Sequence, residues 1–192
     1  MKKIIATMLV GSVCIAFTAC NSQKKDKEAA VTAQDVKKPA DDKPVANDDP
    51  QTYYITAPEG WTQVDSMVEG RKHTKIGSPS DGPGDKFKEN MNVNTEAAVG
   101  YDTKSYSDAN IATIRKEIPG VEVEDLGQTM LGDNQAECYT YTFDYSGIQL
   151  KDIAWYIAKN DVGYVITCTA LKTTFDKFEP QFKACASTFK IK

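Results

Sequence analysis

The most reactive side chains in the C-terminal part of the chain belong to Cys138, Cys168 and Cys185. A catalytic thiol needs a nearby base, and the single histidine, His73, falls on a polar strand that cannot be placed beside any of them. Cys138 and Cys168 share a sheet face two strands apart, about 9–10 Å, which is too far for a disulfide. The candidate disulfide is therefore Cys168–Cys185. We favour the alternative, in which all three are small buried apolar side chains.

Tyrosines form a second group with chemical potential. Tyr139, Tyr141 and Tyr145 alternate along one predicted strand, and Tyr156 shares their sheet face. They are candidates for contact with a ligand bound between the sheet and a helix. Core packing is the use that we favour for them, because an apolar sheet face needs a cover.

The remaining polar residues do not match the motif of a known metal-binding or phosphate-binding loop. Asp81 and Asp85 lie in a Gly- and Pro-rich loop over residues 77–85, but their spacing matches no calcium loop. The glycines of this loop lack the strand–turn–helix context of a phosphate-binding loop. We therefore predict no catalytic residue, no metal site and no cofactor.

Composition narrows the class of protein further. The chain has 192 residues, of which 41% are hydrophobic and 26% charged, and its net charge is −4. These values are typical of a globular domain, and the acidic balance argues against a nucleic-acid partner. A single histidine excludes multi-histidine metal sites. The length predicts one domain with additional processing and linker segments.

The N-terminus has the pattern of an export signal. Lys2 and Lys3 precede the uncharged residues 4–17, a run shorter than the roughly 20 apolar residues that span a bilayer. Phe17-Thr18-Ala19-Cys20 then resembles the bacterial lipobox. Residues 1–19 are thus predicted to be a lipoprotein signal peptide. The resemblance implies that Cys20 receives a diacylglycerol and an amide-linked acyl chain such as palmitate, which anchors the protein in a membrane.

Residues 20–51 form the next segment, which we predict to be a disordered tether. They contain mixed charges with almost no large apolar side chain, so they cannot offset the entropy of folding. Asn21 replaces the Asp that often retains lipoproteins at the inner membrane. We therefore expect the protein in the cell envelope, anchored to the outer membrane and facing the periplasm. Exposure of the protein on the cell surface is the alternative.

Residues 52–192 carry the aromatic and β-branched patterning of a folded domain. Ser107 is the predicted cap of the first helix, and the second contains Pro180, which predicts a kink or two helix starts. The predicted strands are 53–56, 67–76, 90–95, 121–131, 135–145, 148–158 and 163–171, and the predicted helices are 107–118 and 174–188.

Short connections predict that the last three strands form an antiparallel meander. Centring the pairing on the turns places Cys138, Trp155 and Ile166 opposite one another. Both faces of this sheet are apolar, and a helix on each side is the simplest cover. We therefore predict an α+β fold in which helices cover both faces of a twisted antiparallel sheet, an α/β/α sandwich.

This arrangement resembles the PsbP-like superfamily. The resemblance rests on Pro58 and Trp61 after the first strand, on Asn92-Val93-Asn94, and on the closing segment from Phe182 to Phe189. It implies the fold of residues 52–192. Members differ widely in role, so no activity is implied.

Together these features predict a non-enzymatic, lipid-anchored envelope protein that binds or scaffolds another envelope protein. The alternative is a small-ligand-binding lipoprotein, with a pocket bordered by the tyrosine-rich face and the 77–86 loop. A hydrolytic or redox enzyme would need a cluster of perturbed ionisable groups.

Overall fold

The structure is a computed structural model that describes residues 52–85 and 87–192. The predicted signal peptide, Cys20 and the tether lie outside the described residues. The two described helices are α1 (Thr103–Glu117) and α2 (Phe175–Ser187). The described strands are β1 (Tyr53–Tyr54), β2 (Thr62–Val68), β3 (Arg71–Gly77), β4 (Asn90–Ala97), β5 (Glu122–Leu131), β6 (Asn134–Tyr145), β7 (Ile148–Lys159), β8 (Val162–Leu171) and β9 (Lys190–Ile191).

Seven strands form one antiparallel sheet in the order β2-β3-β4-β8-β7-β6-β5, and β1 pairs with β9 in a separate two-stranded sheet. The predicted meander register is confirmed, because Cys138 pairs with Trp155 and Trp155 with Ile166. The two helices lie on opposite faces of the large sheet, so the α+β class is confirmed. Among the described residues, neither helix is long and apolar enough to cross a membrane.

The face under α2, which we call the α2 face, holds the main core. Phe175, Phe178 and Phe182 are buried along one side of the helix, with Cys185 one turn further on, which is the spacing of an amphipathic helix. Trp61 packs edge-on against Phe178 and Phe182 at ring-centre distances of 6.3 and 6.1 Å. α2 continues as one helix through Pro180, which lies on the exposed side of the helix. The two separate helix starts that Pro180 suggested are therefore not present.

The opposite face, the α1 face, holds a second core between α1 and strands β6 and β7. Ile111 and Ile114 of the helix are buried there. The helix begins earlier than predicted. Its N-cap is Asp102, whose carboxylate accepts a hydrogen bond from the Ser105 backbone N–H at 2.7 Å. The Ser105 hydroxyl in turn accepts a hydrogen bond from the Asp102 backbone N–H.

One strand prediction was wrong. The single strand expected at 67–76 is a hairpin of β2 and β3, which turns at Glu69 and Gly70. Both turn residues have positive φ, 51° and 75°, the backbone geometry of a type I′ turn. The strand expected at 53–56 is present as the shorter β1, and its partner β9 was not predicted.

Candidate functional site

The three cysteines of the domain are buried and are present as free thiols. The described part of the chain has no bond between the candidate pair Cys168 and Cys185, and Cys185 Sγ instead donates to Thr56 O at 3.0 Å. Burial raises the pKa of Cys138 to about 12 and that of Cys185 to about 11, and raises the pKa of Cys168 well above its ordinary value. Such thiols are poor nucleophiles.

Thiol titration checks this assignment. In mature chain carrying Cys20→Ser, we expect a disulfide reagent such as DTNB to react with native protein only as fast as the domain unfolds. All three thiols should then titrate at once in guanidinium chloride without reductant. A Cys168–Cys185 disulfide would leave one thiol in guanidinium, and rapid reaction of native protein would contradict the burial.

The predicted ligand-facing tyrosines are mostly core residues. Tyr139, Tyr141 and Tyr156 are buried beneath α1, and the hydroxyls of Tyr141 and Tyr156 are hydrogen-bonded at 2.7 Å. Desolvation raises the pKa of both phenols well above the ordinary value. Tyr145 lies half-buried at the end of β6. This corrects the ligand-contact hypothesis, because α1 itself covers the tyrosine-rich face.

The space beside α1 is too small for the predicted ligand. A cavity of about 20 Å³ lies between α1 and β4, lined among others by Glu96, Tyr101 and Tyr106. That volume holds roughly one water molecule, whereas small-molecule pockets measure about 300–1,000 Å³.

The loop that follows β3 lies on the other side of the sheet from the tyrosines. Asp81 pairs with Lys177 of α2 at 3.2 Å, and Glu89 accepts from Thr174 at 3.2 Å. Asp85 accepts from the backbone N–H groups of Asp81 and Phe87, which lowers the pKa of its carboxyl. Its role is thus to hold the loop. The described residues contain no group of three His, Cys, Asp or Glu side chains that could bind a metal.

α1 packs mainly on β6 and β7 and reaches β8 and β4 through Tyr106, so that most of β8, β4 and β3 has no helix on the same face. We call this uncovered area the open face. It presents polar side chains that are exposed or half-buried. They are Lys75, His73, Asn90, Asn92, Asn94 and Thr167.

Hydrogen bonds within the open face order its side chains. Asn92 Nδ2 donates to Asn90 Oδ1 at 3.0 Å, and His73 Nδ1 lies 2.8 Å from Asn94 Oδ1. Three asparagines at alternate positions of β4 thus form a ladder of amides. Such a ladder offers donors and acceptors to a polar partner.

Asp152 lies where the open face meets the tyrosine core. Its register neighbours are Tyr141 on β6 and Thr169 on β8, and it is only 7% exposed. Its Oδ1 atom has no hydrogen-bond partner. Desolvation raises the pKa of the carboxyl to about 7, although a hydrogen bond with Thr169 acts in the opposite direction.

Sequence reasoning missed Asp152. The available signal was a carboxylate on an otherwise apolar face of β7, between Leu150 and Ala154. A buried polar group without a partner is uncommon in folded proteins and marks a place of interest. The open face together with Asp152 is therefore the candidate functional site, and its chemistry is hydrogen bonding to polar groups.

Comparison with known proteins is informative about the fold. No protein-family model and no curated protein matches the chain. LpqN of Mycobacterium tuberculosis, which is involved in cell envelope biogenesis, is 14% identical, with a TM-score of 0.56 over 76% of this chain and 87% of LpqN. PA94 of Pseudomonas aeruginosa, a protein of unknown function, is 14% identical, with a TM-score of 0.51 over 66% of this chain and 94% of PA94.

Cyanobacterial PsbP from Synechocystis is 16% identical, with a TM-score of 0.48 over 76% of this chain and 89% of that protein. At that TM-score the likeness carries no argument. Identities of 14% to LpqN and PA94 indicate a shared fold and nothing finer. This chain therefore has an α+β fold that it shares with LpqN and PA94.

Proposed function

We propose that this protein is a lipid-anchored cell-envelope protein whose domain binds a protein component of the envelope without catalysing a reaction. The observation that carries the binding role is the open face, half a sheet face of ordered amides bordered by the buried Asp152. Antiparallel sheets commonly leave one face in water, and on this face the asparagine amides of β4 offer hydrogen-bond donors and acceptors to a partner, while Asp152 lies buried at its border.

The anchor is supported by residues 1–20. A basic start, an uncharged run and a small-residue cysteine junction together fit a lipoprotein signal, and the charged segment after Cys20 fits a spacer. LpqN shares the fold and is involved in cell envelope biogenesis, which supports an envelope role for this chain too. A periplasmic outer-membrane location is the form of this proposal that Asn21 favours.

A non-catalytic role is supported by the separation of the reactive groups. The thiols lie on the α2 face, and His73 and Asp152 lie on the α1 face. His73 is held by Asn94, and the phenols near Asp152 are buried with raised pKa values. General acid–base or nucleophilic catalysis needs such groups within hydrogen-bond reach of one another and of a substrate.

Photo-crosslinking in intact cells tests the binding surface. We expect p-benzoylphenylalanine in place of Lys75, which is exposed on the open face, to give one reproducible adduct with an envelope protein. The same replacement of Glu117, exposed at the end of α1, is the matched control and should give none. Identical adduct patterns at the two positions, or no adduct at Lys75, would contradict the proposal.

A further inference from the structure

Exposed apolar side chains are concentrated at one end of the large sheet. At this end β2 turns into β3, β4 finishes, and β5 turns into β6. Val64 and Leu126, the other exposed large apolar residues among those described, lie further along β2 and β5, away from this end. The side chains at this end, which we call the apolar end, are Tyr54, Met67, Val68, Val99 and Met130.

The exposure at the apolar end is substantial. Met67 is 64% exposed, Val99 62% and Met130 58%. Scattered exposed apolar residues are ordinary, but five of them at one end of a small domain indicate a surface that meets an apolar phase. Val68 is the last residue of β2, before the turn at Gly70, and Val99 lies in the loop that follows β4, before Gly100.

The chain from Cys20 enters the domain at this same end. Thr52 O accepts from Lys192 N at 3.0 Å, and Tyr53 O accepts from Lys72 Nζ at 3.2 Å, so β1 starts beside the tip of the β2–β3 hairpin. Residues 20–51 could span about 100 Å when extended, at roughly 3.3 Å per residue. A tether that joins the domain here leaves the apolar end free to meet the membrane.

Basic side chains surround the exposed aromatic ring at this end. Lys192 Nζ lies 5.1 Å and Lys72 Nζ 6.0 Å from the centre of the Tyr54 ring. Tyrosine beside lysine or arginine is the usual composition of a membrane interface, where the long basic side chains reach the headgroups. The charged residues at this end are Arg71, Lys72, Lys159, Lys190 and Lys192 together with Glu69, Asp133 and Asp161.

We propose that the apolar end docks on the phospholipid bilayer surface that holds the acyl chains of Cys20, with Met67, Val68 and Val99 entering the interface. This inference rests on the proposed lipid anchor and adds a second contact to it. Because the apolar end lies at one end of the strands, docking orients the strands roughly perpendicular to the membrane surface. The open face is then directed sideways, where a neighbouring envelope protein can reach it.

Depth-dependent quenching on the acylated full chain tests this docking. The chain is reconstituted in vesicles of phosphatidylethanolamine and phosphatidylglycerol, with a fluorophore on Val99→Cys or on the matched control Leu126→Cys. The three native thiols are buried and Cys20 is acylated, so labelling is selective. We expect doxyl-labelled lipid to quench the label at position 99 several-fold more than the label at 126, and aqueous iodide to show the reverse order.

A second pair of variants separates docking from tethering. Met67→Glu combined with Val68→Glu should restore iodide quenching of the label at position 99, whereas Val64→Glu on the same strand should not change the quenching. Equal quenching at positions 99 and 126 in chain that floats with the vesicles would overturn the docking and leave the anchor intact. Shielding from iodide without lipid quenching would overturn it in favour of a protein contact. Acylated chain that fails to float would overturn both the docking and the anchor.

Discussion

Asp152→Asn is expected to stabilise the domain at about pH 8 and to leave its stability almost unchanged at about pH 4. The Asp152 carboxyl has a folded-state pKa of about 7 against an ordinary value of 3.8. The folded protein therefore binds this proton more tightly than the unfolded chain does. Its contribution to stability is complete below about pH 4, falls as the pH rises to 7, and is absent above 7.

The expected size of the effect follows from that difference in pKa. At about 1.4 kcal/mol per pKa unit, the wild-type domain loses about 4 kcal/mol between these limits, and Asn, which stays neutral, does not lose it. Urea unfolding across the pH range measures the difference. Asp133→Asn, at the exposed β5–β6 turn, is the control and should show no such pH-dependent gain. A constant difference between Asp152→Asn and wild type at all pH values would contradict the assignment.

Gly163→Ala is expected to destabilise the domain by about 1–3 kcal/mol, the usual range for overpacking. A Cβ at Gly163 would lie 2.7 Å from Tyr106 Cε2. The ring has little room to move, because it is 3% exposed and its hydroxyl donates to Glu96 Oε1 at 2.6 Å. Glycine is needed at this position for the contact between α1 and β8.

Gly77→Ala is the matched control, since a Cβ at Gly77 in β3 would meet nothing within 4 Å. Its free energy of unfolding should stay within about 0.5 kcal/mol of wild type. In a Tyr106→Ala background, Gly163→Ala should cost clearly less than it does alone, because the colliding ring is gone. Equal costs in the two backgrounds would show that the Tyr106 ring is not the cause.

The central strands and both helices could be predicted because their apolar residues follow a clear period. In β6, β7 and β8 both faces are apolar, so short turns alone fix the pairing of Cys138 with Trp155. The β2–β3 hairpin escaped prediction because every residue of β2 is exposed, and an exposed edge strand has no inward-facing apolar series. β1 and β9 have two residues each and are far apart in the sequence, so no local sequence pattern predicts that they pair.

The candidate site was less predictable than the fold. The tyrosine-rich face was recognisable, but the choice between ligand and core depended on where α1 packs. Helix α1 covers β6 and β7 and reaches β8 and β4 through Tyr106, and this placement leaves the open face uncovered. The local sequence shows Asp152 as one carboxylate in a strand. Its missing hydrogen-bond partner is a property of the assembled sheet.

The lipid anchor is the central claim, and the intact mass of mature protein purified from membranes tests it most directly. We predict a chain that begins at Cys20 and carries a diacylglycerol and an amide-linked acyl chain. Cys20→Ser should abolish the added mass and release the protein from the membrane fraction, whereas Cys14→Ser, within the signal, should change neither. An unmodified mature chain, or membrane retention of Cys20→Ser equal to that of wild type, would contradict the account.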